Sequence, residues 1–381
     1  MKIEKLKKFK YVKILVNVIY YFGFFAILAY FATMELSNPS HDWFINLVNI
    51  VILLELLLYI VYFISAIVHE LGHLIFGLKA KLTFNSFCIF GYTFYLENDK
   101  LKIKKAANVP GILGYCGMIT EKGKSYNRNS ISFFYMGGII FNIILVFISI
   151  ILLNFTSNIY LIIFYILSIG INSYFAINNS IPSITNSGAS TDALQLIYHL
   201  EDEEYVNIMS NLIVLQNMMA SGCELKNIDS SLFSNPQIFK NNTDVLNAMF
   251  YVDYLSSKEQ YHEASEYANK ILKDGKDFLT RQNIIIIKLQ LIICIFYSDD
   301  DFNKIKEIWD EDIKKYLDLM GNVAPVYIGI NYLYAALIEE NEINSEKYLN
   351  KFQKLRKNNY NKFQIKDAEE LINDVKKKIK E

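Results

Sequence analysis

Cysteine, histidine and proline are scarce in this chain, at four, five and five of 381 residues. The cysteines (Cys88, Cys116, Cys223, Cys294) are far apart and form no CxxC. That spacing excludes a disulfide framework and a thiolate metal site, and predicts reduced, mostly buried thiols. An excess of either charge is missing too: 38 lysines and arginines face 39 acidic residues, a net charge of −1. Without a basic face or cluster away from the apolar runs, nucleic acid is excluded as a partner. Lysine and arginine vanish altogether from Trp43 to Leu78 and from Asn129 to Leu225. The first of those stretches contains only two acidic residues, Glu55 and Glu70. Apolar content concentrated in the first half of the chain is a membrane signature.

What is present divides the chain in two. Residues 1–13 carry six lysines against one glutamate, a flank held in the cytoplasm by the positive-inside rule. Four apolar segments follow, at about 14–34, 44–78, 131–153 and 159–179, each long enough to cross a bilayer. The first is too long for a cleavable signal peptide and is expected to be a retained span. The second is too long for one untilted crossing, and Glu55 is expected at its outer boundary. Between the second and third spans, an insert over 82–130 shows short strand patterns at Leu82 to Phe87, Gly91 to Leu96 and Leu101 to Lys105. The last two read as a hairpin across Glu97-Asn98-Asp99-Lys100. Its lysines predict a cytoplasmic placement, and an open sheet edge there could take an extended substrate as one more strand.

From Asp192 onward the composition is that of a soluble, helical region. Ile284 to Tyr297 is strongly apolar, but it is short and holds Lys288 and Gln290, so it reads as a buried core helix. Tyr261 to Ala268 looks like the second half of a tetratricopeptide helix pair, with an irregular helical bundle as the alternative. The expected fold class is therefore mainly α: a polytopic membrane protein with about four transmembrane helices, a small β-hairpin insert and a C-terminal cytoplasmic helical, tetratricopeptide-like domain. The domain division is a membrane core over 1–191 and a helical domain over 192–381, whose first turn bears Asp192.

The chemistry lies in His69-Glu70-Leu71-Gly72-His73, inside the second apolar segment. Histidines four apart on a helix stack on one face, about 6 Å apart at Cβ, so both can reach one zinc ion. Zinc lowers the pKa of a water towards about 7, and a glutamate between the histidines can take its proton. Ionisable groups at membrane depth are costly and point to function. Zinc needs a third protein ligand, and the candidates are Asp192, His199 and the acidic run Glu201 to Glu204. Asp192 follows a helix broken at Pro182 without an intervening helix to carry it away. Helix capping is its structural alternative. Paired glycines at Gly137-Gly138 allow close approach of another helix, and Asn142 offers a buried amide one turn on.

These elements together resemble the site-2 protease family of intramembrane zinc metalloproteases. The resemblance covers about residues 43–195 and rests on three pieces in the family's order. They are the motif at 69–73, Gly138-Ile139-Ile140-Phe141-Asn142, and Asn179-Ser180-Ile181-Pro182 followed by Asp192. It implies one zinc ion held by His69, His73 and Asp192, with Glu70 as the catalytic acid–base, and Asn142 and Asn179 positioning the substrate or the oxyanion. Ala193 and Ile139 stand where the family usually has glycine and proline, and the gap from Pro182 to Asp192 is similar to that of Gram-positive members linked to peptide processing. The implied function is an intramembrane zinc endopeptidase of the cell membrane. It would cut a membrane-spanning or hydrophobic peptide near the cytoplasmic face, such as a pheromone, signal-peptide or bacteriocin precursor, or a membrane-anchored regulator. The insert is too small for a PDZ domain, and the helical domain looks like a docking surface for a protein partner. Two alternatives belong to other readings: a non-catalytic membrane adaptor working through its helical repeats, and a membrane zinc protease whose third ligand is a downstream glutamate.

Overall fold

A computed structural model of the chain describes residues 3–36, 43–97, 100–105, 113–121, 126–184, 190–202, 204–221, 223–298, 301–321, 325–356 and 362–380. The chain divides into two compact units, Ile3–Ser210 and Asn211–Glu381, so the helix that starts at Asp192 belongs with the first.

The first unit opens with two long helices, α1 (Ile3–Leu36) and α2 (Trp43–Lys79). At 37 residues α2 is about 56 Å long, well beyond the ~30 Å hydrocarbon layer, as its composition requires. Glu55 is exposed on it. A four-stranded antiparallel sheet follows, β1 (Thr83–Ile89), β2 (Tyr92–Glu97), β3 (Lys100–Lys105) and β4 (Gly114–Ile119), in the order β3-β2-β1-β4. The expected hairpin is there, with Glu97 paired to Lys100. Sequence patterning missed β4, whose Gly-Tyr-Cys-Gly-Met-Ile has no clean alternation of apolar and polar residues.

The turn between β1 and β2 is a two-residue one at Phe90-Gly91, both with positive φ (49° and 79°). Glycine accepts that conformation freely, but Phe90 does not, and its ring stacks on Phe63 of α2 with centroids 4.7 Å apart. Ile89, Phe87 and Phe94 join the same apolar core as Leu54, Val61 and Ala66 of α2. The hairpin thus climbs the flank of the apolar helix.

Helices α3 (Arg128–Leu153) and α4 (Ile159–Ser180) are each started by an asparagine cap, Asn127 and Asn158, that accepts backbone N–H groups of the first turn. Four helices among the described residues are long and apolar enough to cross a membrane: Val51–Lys79, Arg128–Leu153, Ile159–Ser180 and Arg281–Ser298. The last, α9 (Arg281–Ser298), lies between two cores of the second unit. Ile285, Leu289 and Ile292 enter one core, and Ile287, Leu291 and Cys294 the other. Lys288 pairs with Asp310 at 2.6 Å, and the Gln290 amide nitrogen donates to Asp253 at 2.6 Å.

The first unit ends with α5 (Asp192–Glu201) and most of α6 (Tyr205–Ser221), whose Leu194, Tyr198, Tyr205 and Val206 share a core with Ile131 and Tyr135 of α3. The regular elements among the second unit's described residues are all helical. They include α7 (Asn242–Ser257), α8 (Tyr261–Asp274), α9, α10 (Asn303–Ile308), α11 (Glu311–Met320), α12 (Pro325–Leu333, running on as one π-type turn to Ile338), α13 (Glu342–Arg356) and α14 (Lys362–Lys380). Their lengths run from 6 to 19 residues and set no fixed repeat.

Candidate metal centre

Glycine lets α2 and α3 touch where the motif lies. A Cβ built on Gly72 would fall 2.3 Å from the Gly137 carbonyl oxygen, and one on Gly137 would fall 2.5 Å from that of Gly72. Neither position can carry a side chain, so the backbones cross in contact. One residue further on, Gly138 leaves the space that the His69 ring fills.

Both imidazoles are held from behind. His69 Nδ1 lies 2.6 Å from Asn142 Oδ1, and His73 Nδ1 lies 2.8 Å from the Phe134 carbonyl oxygen. A carbonyl only accepts, so His73 must carry its proton on Nδ1. The same holds for His69 facing the amide oxygen. In the neutral imidazoles their Nε2 atoms then present lone pairs forward, 3.4 Å from each other.

Asp192 meets those lone pairs. Helix α4 stops at Ser180, and the chain returns through a loop stapled to itself. Thr191 N–H donates to the Ser183 carbonyl, Ser183 N–H to Thr191 Oγ1, and Thr191 Oγ1 in turn to the Ile181 carbonyl. Ile184 bridges Ser190 in the same loop. This hairpin-like closure spans the gap after Pro182 and sets Asp192 as the first residue of α5. There Asp192 Oδ2 is 3.1 Å from His69 Nε2, and Oδ1 is 3.5 Å from His73 Nε2. The far end of α5 is fixed as well: the Arg128 guanidinium donates to the Leu200 carbonyl, and His199 Nε2 donates to the Arg128 carbonyl at 3.2 Å.

With both imidazoles neutral, three lone-pair donors face one another at 3.1–3.5 Å, an arrangement relieved by a proton or a metal ion shared among them. Asp192 Oδ2 is buried with no hydrogen-bond donor, which is the orphan such a cation would satisfy. Zinc at about 2.0–2.1 Å from tetrahedral N and O ligands would set them about 3.3 Å apart, so the donor set fits zinc. His69, His73 and Asp192 form a group that could hold a metal ion.

Glu70 is buried beside them and accepts the backbone N–H of Cys116 on β4. That N–H points away from β1, so the outer edge of β4 faces the motif helix. Burial, then the nearby Glu70 carboxylate, raises the Cys116 thiol above its usual range, which keeps it a neutral thiol.

The remaining candidates are elsewhere. His199 is buried two turns along α5 at the Arg128 carbonyl, and burial lowers its imidazole below the usual range. Glu203 and His41 lie outside the described residues. His262 is on the surface of α8 beside Glu266. Asn179 turns onto its own helix, donating to the Phe175 carbonyl at 3.1 Å. Residues that sequence reasoning passed over are Asn172, Ser168 and Ser149, all buried behind Asn142. Their signal was available, since a polar side chain in an otherwise apolar membrane helix rarely lacks a role.

A family model described as Peptidase family M50 matches residues 57–375 of the chain. No curated protein and no solved structure matches it.

Proposed function

From the premise that this chain belongs to peptidase family M50, a family of membrane-embedded zinc metalloproteases, we propose an intramembrane endopeptidase with its site at His69, Glu70, His73 and Asp192. The observation that carries this reading is the convergence of His69 Nε2, His73 Nε2 and both Asp192 oxygens at 3.1–3.5 Å, with both Nδ1 atoms turned away onto oxygen acceptors. His69, His73 and Asp192 would hold the ion. When bound, zinc supplies a Lewis acid for the scissile carbonyl and lowers the pKa of the attacking water. Glu70 takes the proton of that water on its carboxylate and delivers it to the leaving amide nitrogen.

The substrate we assign is a membrane-spanning or hydrophobic peptide, of the pheromone, signal-peptide remnant or bacteriocin-precursor kind, or a membrane-anchored regulator. An extended segment that displaces Glu70 from the Cys116 N–H would add to the outer edge of β4, which unwinds the substrate and presents its backbone. Lysines at the amino terminus and on β3 support a cytoplasmic position for that end of the site, with α1 as a further span and both termini inside. The helical second unit is taken as a tetratricopeptide-like docking surface for substrate or partner.

The test is Glu70→Gln in purified full-length protein. It should keep about one zinc per chain and lose cleavage of a hydrophobic peptide by about 100-fold or more. Retained cleavage would end the mechanism.

A further inference from the structure

We infer that Asn142 and Asn172 act as positioning residues that lock the His69 ring, and that neither is a donor to the reacting oxyanion. This rests on the metal site proposed above and concerns what sets it. Asn142 Oδ1 faces His69 Nδ1 at 2.6 Å. The amide nitrogen of Asn142 has two protons, and both are taken, one by the Ser65 carbonyl at 3.3 Å and one by Asn172 Oδ1 at 2.8 Å. Because a backbone carbonyl cannot donate, the Ser65 contact fixes which way the Asn142 amide points. Asn172 is fixed by the same logic. Its nitrogen donates to the Ser168 carbonyl at 2.8 Å and reaches Ser168 Oγ at 3.3 Å, leaving its oxygen for Asn142. Ser168 Oγ then meets Ser149 Oγ at 2.8 Å.

The bonds from His69 through Asn172 all run in one direction, with each proton handed away from the metal site. The path links α2, α3 and α4, and Asn142 and Asn172 are both 0% exposed. At that depth an amide with a lost partner has no water to replace it, so flipping Asn142 to offer its N–H groups forward would break three bonds at once. The outcome is a single tautomer for His69, with its proton on Nδ1 and its lone pair on Nε2 aimed at Asp192. Groups behind a metal-bound histidine fix ring orientation, and losing them typically costs about 10–100-fold in metal affinity or activity.

The experiment measures zinc affinity by chelator competition on purified full-length protein, alongside cleavage. Asn142→Leu should weaken zinc by about 10-fold or more, and Asn172→Leu should weaken it in the same direction by less. Asn142→Asp keeps an acceptor for the His69 N–H but loses the donors to Ser65 and Asn172, so it should hold zinc more tightly than Asn142→Leu and less tightly than wild type. If Asn142→Leu does not fold, as judged by its melt in excess chelator, the Asn172→Leu and Asn142→Asp pair decides. Wild-type zinc affinity in both leucine variants, with only cleavage lost, would assign Asn142 to the oxyanion and overturn the inference. A wild-type protein that binds no zinc would instead remove the functional reading itself.

Discussion

A methyl group at Gly138 would sit 2.4 Å from the His69 ring, so the smallest substitution there reaches the candidate metal site. Gly138→Ala should cost about tenfold or more in zinc affinity, read as zinc retained after dialysis against a chelator. Gly170 in α4 is the control, since nothing lies within 4 Å of a Cβ built there. Gly170→Ala should leave zinc unchanged and gain up to about 1 kcal/mol from helix propensity, read by the melting temperature. Among the ligand candidates, Asp192→Ala is expected to abolish stoichiometric zinc, while His199→Ala leaves it intact. Zinc analysis of the two variants separates them. At this scale the sequence was explicit about His69, Glu70 and His73, because residues four apart on a helix must share a face. It could not show that Asn142 hands its N–H protons to Ser65 and Asn172, since that depends on which helices lie behind it.

Helix α5 does its work by being held at both ends, with the stapled loop before Asp192 at one and the bonds between α3 and residues 199–200 at the other. Arg128→Ala removes a charged donor from the Leu200 carbonyl. With water able to replace that exposed donor, it should destabilise α5 by up to about 1 kcal/mol, seen as faster amide exchange over α5 with β1–β4 unchanged. In the second unit, Asp253 on α7 is half-buried with Gln290 as its donor and Asp367 as a like-charged neighbour. Burial first, then Asp367, pushes its carboxyl up to about 6. A carboxyl that titrates near 6 when folded and near ~3.9 when unfolded binds its proton more tightly in the folded state. Its contribution is therefore fully present below about pH 4 and is lost as the pH rises through about 6. Amide exchange across α7 and α9, corrected for intrinsic rate, should show on the order of 1 kcal/mol more protection at pH 5 than at pH 7.5. Asp253→Asn should reduce the difference, with Asp367, which burial also raises to about 6, keeping its own share. The end of α2 was legible because charge marked it, at Lys79. Strand β4 and the Phe90 turn were not, because their reason for existing is contact with α2.

The two units keep separate apolar cores, and the candidate ligands all lie in the first. Zinc that binds only the folded first unit stabilises it by mass action, by about 4 kcal/mol at a thousandfold excess over its dissociation constant. Chelation should therefore lower the melting transition of Ile3–Ser210 and leave that of Asn211–Glu381 in place. Site-resolved exchange with and without chelator is the check, and equal shifts in both units would contradict it. The absence of lysine and arginine over 43–78 and 129–225 made the membrane character of the first unit plain. Composition also separated it from the second unit. In α9 the same apolar composition instead serves a core, and only its Lys288 and Gln290 hinted at this.

By itself the sequence determined the chemistry on offer: two imidazoles and a carboxylate on one apolar helix, and lysines arranged around stretches that hold none. These follow from periodicity and solvation, which act locally. Only the tertiary structure brings the Asp192 carboxylate to 3.1 and 3.5 Å from the two imidazoles. It also decided that the edge of β4 faces Glu70 and that a file of buried amides stands behind His69. Those facts depend on where separate helices meet, and a contact between distant residues leaves no period for a single sequence to display.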